Sequence, residues 1–371
     1  MNAPGKTLDV IIPSLRFDTN ADHILRILSL SQPPGWTVRY YIIGDSPVAL
    51  LPQRLEQRIH HPDIHFHRND RNRGLSFSRN KGIELSSGEL ILFLDDDVTP
   101  CADLLLQYTR AAEDHPEAAG FGGVVQLPSP HNDFTRALEL AGYTHFFTLA
   151  SRRQVLPWAV GGNMMYRRRK IGPARFSTDF GINGGEEVDF AAQVQKLSGT
   201  GIVAVPGAIL QHPWWNNGKP DFSRPVRYSR GNYFLLKKHP GFSVWRFCNT
   251  PEIVFLLLLL TPWVMRAGVN GLRWIGLLAG LMAGDLVFHS LKIIREKRSP
   301  SVKRIWYCWL VKMAEQTGYL LFCLRHFYIQ GIFKRFDIEL TKGKRKHFHT
   351  NRWILAKMLF FAVCFVLLCT L

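Results

Sequence analysis

The first 125 residues alternate between two patterns, and that alternation leaves few folds open. Residues 8–13 (LDVIIP) form a β-branched run, which a parallel strand requires when both of its faces are buried. Residues 21–30 then place Ile24, Leu25, Ile27 and Leu28 at helical spacing. The cycle repeats with a strand at 38–43, a helix at about 50–59, a strand at 64–67, a helix at 76–85 and a strand at 90–94. This rhythm predicts an α/β fold with a doubly wound, mostly parallel sheet flanked by helices. Such sheets bind ligands beyond the carboxyl ends of their strands. Two acidic features stand there: Asp45 after the second strand, and Asp95, Asp96 and Asp97 directly after LILFL.

The last third of the chain follows different rules. Of 46 Lys+Arg and 29 Asp+Glu, 18 and 6 fall after residue 250, so +12 of the net +17 belongs to the apolar part. Basic charge joined to long apolar runs points to a membrane and not to nucleic acid. The basic runs Arg152-Arg153 and 167–170 come without the aromatic motif of an RNA-binding fold. A hydrophobic share of 46% excludes general disorder. Six cysteines form no C-x-x-C pair, as expected of small buried side chains in a reducing compartment. MNAPGKT lacks an apolar core of a signal peptide, so the N-terminal domain is expected to fold in the cytoplasm.

Two regions follow: residues 1–245 as the α/β domain and 246–371 as a membrane-associated helical region. Within the latter, 251–294 suits a membrane hairpin whose 253–264 portion is short for a span or is re-entrant. Residues 305–333 mix aromatic and charged side chains as an interfacial helix does, and 353–371 suits a single span. The basic linkers 292–304 and 334–352 are expected in the cytoplasm by the positive-inside rule.

Three carboxylates in a row at a strand end repel one another unless a cation neutralises them. Asp95 and Asp97, as alternate side chains, can meet one divalent ion together with diphosphate oxygens. An isolated triplet is equally an acidic turn before a helix. Upstream lies Asn72-Arg-Gly74-Leu-Ser-Phe-Ser-Arg79-Asn80-Lys-Gly82, in which Gly74 permits a tight loop and Arg79 can serve diphosphate oxygens. His65 and His67 share one strand face and are read as ordinary strand residues.

Taken in order, five motifs resemble those of the family-2 inverting glycosyltransferases, which have the GT-A fold, over roughly residues 8–240. They are the N-x-G-x-x-x-x-R-N-x-G run with LDDDV, Gly161-Gly162-Asn163, Gly185-Glu186-Glu187-Val188-Asp189, the V-P-G-A-I-L-Q-H-P segment ending in His212-Pro213, and Arg227-Tyr-Ser-Arg230-Gly-Asn. The resemblance implies a donor site of Pro13, Ser14, Asp45, Asn72, Gly74, Arg79, Asp95, Asp96, Arg227 and Arg230. It implies an acceptor side at Gly161, Gly162 and Asn163, and a metal site of Asp95, Asp97 and His212 for Mn²⁺ or Mg²⁺. Imidazole suits Mn²⁺ better than Mg²⁺. The implied catalytic base is Glu187, with Glu186 and Asp189 orienting it or the acceptor. The chain departs from the family pattern in having Glu187 where the second acid is usually Asp, and Ile43-Gly44-Asp45-Ser46 where V-D-D/N-G-S is usual.

The implied activity is inverting transfer from a nucleotide sugar, a UDP-sugar by expectation, to a hydroxyl of a membrane-associated glycolipid or lipid-linked saccharide, for cell-surface glycan synthesis. The active site would then face the cytoplasm from the inner membrane. Transfer to polyprenyl phosphate is the alternative, although an anionic acceptor needs no base and leaves the acidic cluster without work. A processive synthase would carry Q-x-x-R-W before its membrane helices, and none is present. A non-catalytic basic protein binding membrane or nucleic acid would not need carboxylates at every expected position.

Overall fold

The computed structural model describes residues 6–295, 301–341 and 348–370, and the chain forms two compact units. The first comprises Met1–Ser129, Thr144–Asn217 and Ile338–Leu340; the second comprises Pro130–Tyr143, Gly218–Asp337 and Thr341–Leu371. Residues 296–300 and 342–347 of the two basic linkers lie outside the described residues, as does 371 of the expected last span.

In the first unit the strands are β1 (Lys6–Ser14), β2 (Trp36–Gly44), β3 (Ile64–Arg68), β4 (Leu90–Leu94), β5 (Thr99–Pro100), β6 (Gly120–Gln126), β7 (Val155–Leu156), β8 (Asn163–Arg167) and β9 (Ile202–Gln211). They make one sheet in the order β3-β2-β1-β4-β8-β6-β9-β5, with β7 also on β9. The apolar runs read from the sequence are the parallel ladders of β1 to β4, where Ile11 sits between Tyr41 and Phe93. Their side chains join one core that includes Leu8, Val10, Ile42, Leu92 and Tyr108, all essentially without solvent contact. Asp9 lies on the other face of β1, fully buried, where Arg39 on the neighbouring strand grips both of its oxygens at 2.8 and 3.1 Å.

Among the longer strands one runs against the rest, while the two-residue β5 and β7 lie antiparallel to β9. β8 runs antiparallel between β4 and β6, pairing Asn163 with Leu94. Its first residue is thereby set against the last residue of β4, so Gly161 and Gly162 arrive beside the aspartate triplet. β9 is parallel to β6 and ends at the same edge, where the His212 backbone N–H donates to Gln126 at 2.9 Å. Strand direction alone thus gathers residues from positions 14, 45, 95, 162 and 212 at one rim.

The second unit is mainly helical. Its longer helices are Ser223–Lys238, Thr250–Arg266, Gly271–Arg295, Val302–Arg325 and Arg352–Thr370, with a small sheet formed by Ser243–Arg246, Lys334–Phe336 and Phe348–His349. Among the described residues one helix, Gly271–Arg295, is long and apolar enough to cross a membrane, with mean hydropathy 1.6. Leu258, Leu259, Leu260, Trp263, Leu272, Ile275, Leu359 and Val363 on these helices are exposed. A buried polar hub joins four of them. Asp285 accepts from Thr250 Oγ1 at 2.7 Å, Trp309 Nε1 at 2.9 Å and Lys357 Nζ at 3.0 Å.

Candidate active site

The donor end begins with loop construction. Asp45, buried just past β2, accepts hydrogen bonds from Asn69 Nδ2 (2.7 Å) and from the backbone N–H groups of Arg73 (2.8 Å) and Gly74 (2.7 Å). Its carboxylate therefore shapes the loop that carries Asn72, whose Oδ1 also accepts from Gly74 at 3.2 Å. Gly74 has φ +86°, which an L side chain would strain, and it leads into the helix Leu75–Leu85. A cleft of about 710 Å³ opens beyond the ends of β1 and β2, lined by Leu15, Arg16, Thr19, Ser46 and Leu50 among others. Pro13 and Ser14 close β1 at its rim.

The three aspartates divide into two groups. Asp96 turns inward, where Ser14 Oγ donates to it at 2.5 Å. Burial raises its pKa above the ordinary value, the Ser14 bond lowers it, and Asp97 and Asp95 raise it further. Asp95 and Asp97 point the other way and, with His212, place ligand atoms within 4.8 Å of one another. His212 Nε2 is 3.5 Å from Asp97, while its Nδ1 lies 2.6 Å from the Pro213 carbonyl. A carbonyl only accepts, so in the neutral ring Nδ1 carries the proton and Nε2 the lone pair. Two carboxylates and such an imidazole fit a divalent ion of the Mn²⁺ type. Among the described residues this is the one such cluster, and His65 instead stacks on Tyr41 at 4.7 Å.

Arg79 connects this cluster to the opposite wall. Its side chain, 2% exposed, donates to Asp95 at 3.3 Å and to Glu186 at 3.1 Å. Its plane lies over the Phe176 ring at 5.3 Å. Both forks of the guanidinium end on carboxylates of the chain, so its work is to bridge the two halves. The glycines make room for that bridge. A Cβ on Gly161 would lie 2.6 Å from Arg79 Nη2, and one on Gly162 would lie 2.5 Å from Asp95 Oδ2.

Glu186 and Glu187 open the helix Glu186–Ser198. Glu187 Oε2 is enclosed and has no hydrogen-bond partner among the described residues. Burial, and then the charge of Glu186, push its carboxyl up to about 8. Tyr166, also with an enclosed hydroxyl lacking a partner, lies within electrostatic reach of it. Asp189 is buried one step further, accepting from Gln193 at 3.0 Å.

Asn163 requires a correction. Expected on the acceptor side, it is wholly buried, its amide donating to Val124 (3.1 Å) and Ala208 (2.9 Å) and accepting from Tyr108 (2.8 Å). It fastens β8 to its neighbours. Arg227 and Arg230 lie on the helix Ser223–Lys238 of the second unit. Sequence reasoning missed Asn69, which bonds Asp45 and Ser78, and Phe176 under Arg79. Asn80 was a legible signal for the latter, since its amide exchanges hydrogen bonds with the Phe176 backbone.

A mostly parallel sheet with a cleft and a cluster of possible metal ligands at its rim matches the GT-A fold. Residues 29–172 match the family described as glycosyl transferase family 2, so that part of the chain is similar to a family-2 glycosyltransferase domain. The mannosyltransferase PcManGT from Pyrobaculum calidifontis, solved with GDP-Man and Mn²⁺, superposes with a TM-score of 0.54 at 13% identity, covering 89% of this chain and 92% of that one. A glucosyl-dolichyl phosphate glucuronosyltransferase of Haloferax volcanii is 41% identical over 63 residues, 17% of this chain. The matched stretch is only 20% of that relative's length.

Proposed function

We propose that the chain moves a sugar, with inversion, from a nucleotide-sugar donor to a hydroxyl of a lipid-linked saccharide at the cytoplasmic face of a membrane, in cell-surface glycan synthesis. The observation that carries this reading is the enclosed Glu187, whose Oε2 has no partner among the described residues and whose neighbour Glu186 is tied by Arg79 to Asp95 of the acidic cluster. Base and ribose occupy the cleft past β1 and β2, and a UDP-sugar is the first donor to try. Glu187 takes the proton of the acceptor hydroxyl as that oxygen attacks the sugar carbon opposite the leaving diphosphate. Glu186, held by Arg79, keeps the proton affinity of Glu187 high enough for the task. A divalent ion held by Asp95, Asp97 and His212 would offset charge on the departing diphosphate. The relative named for glucuronosyl transfer to glucosyl-dolichyl phosphate supports a lipid-linked sugar as acceptor. The exposed apolar helices of the second unit support attachment to the bilayer.

The test is nucleotide release by the purified full chain across UDP- and GDP-sugars, with Mn²⁺, Mg²⁺ or EDTA. EDTA should abolish release. Glu187→Gln should cut turnover by about 10²–10⁴-fold with little change in nucleotide affinity. Full activity of Glu187→Gln on polyprenyl phosphate would make that anion the acceptor instead.

A further inference from the structure

Among the described residues the second unit holds a guanidinium that no carboxylate answers. Arg335, in the strand Lys334–Phe336, lies over the Tyr319 ring at 4.6 Å. Its Nη1 is buried and has no hydrogen-bond partner among the described residues. Two carboxylates are in electrostatic reach, Glu252 and Glu315, and both are committed elsewhere. Glu252 accepts two bonds from Arg246, at 2.9 and 2.5 Å, and one from the Asn249 backbone. Glu315 accepts from Lys312 at 2.9 Å and from the Tyr143 hydroxyl at 3.1 Å. Arg335, Arg246 and Lys312 against two carboxylates leave one positive charge uncancelled in an enclosed place, where an unpaired ion is costly.

A second guanidinium stacks on the same helix, Val302–Arg325. The helix Ser223–Lys238 approaches Val302–Arg325 closely at Gly318, where a Cβ would lie 3.0 Å from Val226 Cα. Arg230 consequently lies over Phe322 at 5.5 Å. Tyr319 and Phe322 are three residues apart and share a helix face, so the two guanidinium planes rest on adjacent rings. Asn232 accepts from the Phe336 backbone at 3.3 Å, which fixes the strand of Arg335 against the helix of Arg230. Arg230 Nε is also buried without a partner among the described residues. Following the same helix, Phe327 and Ile329 are exposed, at 90% and 55%.

We propose that Arg335 and Arg230 form an anion site that takes the phosphate or diphosphate of the lipid-linked acceptor, with the neighbouring apolar side chains receiving its hydrocarbon chain. This rests on the proposed lipid-linked acceptor. Guanidinium forks match phosphate oxygens bidentately, and ring floors hold the forks in plane. An apolar margin beside them favours a phosphate that carries a lipid over a free one. The sequence motif had assigned Arg230 to the donor, and the experiment separates the two roles.

The detergent-solubilised full chain is titrated with farnesyl phosphate, farnesyl diphosphate, farnesol and inorganic phosphate, reading Tm and tryptophan fluorescence. Binding of the phosphorylated prenols but not of farnesol is the expected result. Arg335→Met should weaken it about tenfold or more, and Arg335→Lys less, while a nucleotide diphosphate with Mn²⁺ binds Arg335→Met as it binds the wild type. Should Arg335→Met not fold, Arg335→Lys carries the same comparison, and Arg230→Met is read for prenyl-phosphate binding alone. Unchanged prenyl-phosphate binding in these variants overturns the site. So does equal affinity for farnesol, which leaves an apolar surface, or for inorganic phosphate, which leaves a free-anion site. Parallel loss of nucleotide binding returns the arginines to the donor. If the wild type binds no prenyl phosphate yet glycosylates a saccharide acceptor, this inference falls and the proposed transfer stands. Prenyl-phosphate binding without any sugar transfer is the reverse case.

Discussion

Glu187 keeps its proton past neutrality because burial and Glu186 both oppose ionisation. Only the ionised form can accept a proton, so kcat/KM should rise with pH through about 8. Glu186→Gln removes one negative neighbour, which makes ionisation easier and moves that rising limb to lower pH. A limb that stays in place would take Glu186 out of the tuning. Gly162 offers a separate handle. Gly162→Ala sets a methyl group 2.5 Å from Asp95 Oδ2, so Asp95 must swing away. Mn²⁺ affinity, followed by calorimetry, should weaken while the far-ultraviolet circular dichroism is retained. Of these residues Asp95, Asp97, His212 and Glu187 were legible, since each sits in a short motif. Arg79 was found in sequence but given a different duty. Its two anchors, Asp95 and Glu186, are 16 and 107 residues away, and side-chain partnerships at such separations leave no periodic trace.

At the level of elements, the parallel strands announced themselves because burial on both faces forces continuous apolar runs. The antiparallel β8 did not. Asn163-Met-Met-Tyr-Arg167 shows neither alternation nor a turn signal, and its direction follows from where the chain enters the sheet. That entry is secured by Asn163, so Asn163→Ala should act on stability before chemistry. It would take the amide bonds from the Val124 and Ala208 carbonyls, each at about 1–3 kcal/mol, while the Tyr108 hydroxyl keeps its bond to the residue 163 backbone carbonyl at 2.9 Å. A clear fall in Tm is expected, with nucleotide affinity preserved in whatever fraction remains folded. Loss of nucleotide affinity at unchanged Tm would restore a ligand-contacting role.

For the whole molecule, the hydropathy of the last third marked out helices but not how they hold together. Lys357 read as a lone interruption of an apolar run, and its meaning depends on Asp285, 72 residues earlier. Removing one member of a buried ion pair typically costs about 3–5 kcal/mol, whereas replacing both by apolar residues is close to neutral. Lys357→Met should therefore lower the yield and Tm of solubilised protein, and Asp285→Leu with Lys357→Met should recover much of the loss. Equal damage from the single and double variants would mean that Thr250 and Trp309, not the cation, govern Asp285. The pair also bears on how the protein is made. During synthesis the helix Gly271–Arg295 leaves the ribosome well before Arg352–Thr370. Its carboxylate then waits for a lysine not yet translated, and neither helix alone can enter hydrocarbon without exposing a charge. Were the two to enter a bilayer, they would be suited to do so as partners, and a chain stalled before residue 357 would leave Asp285 without its lysine, with His289 of its own helix beside it at 3.4 Å.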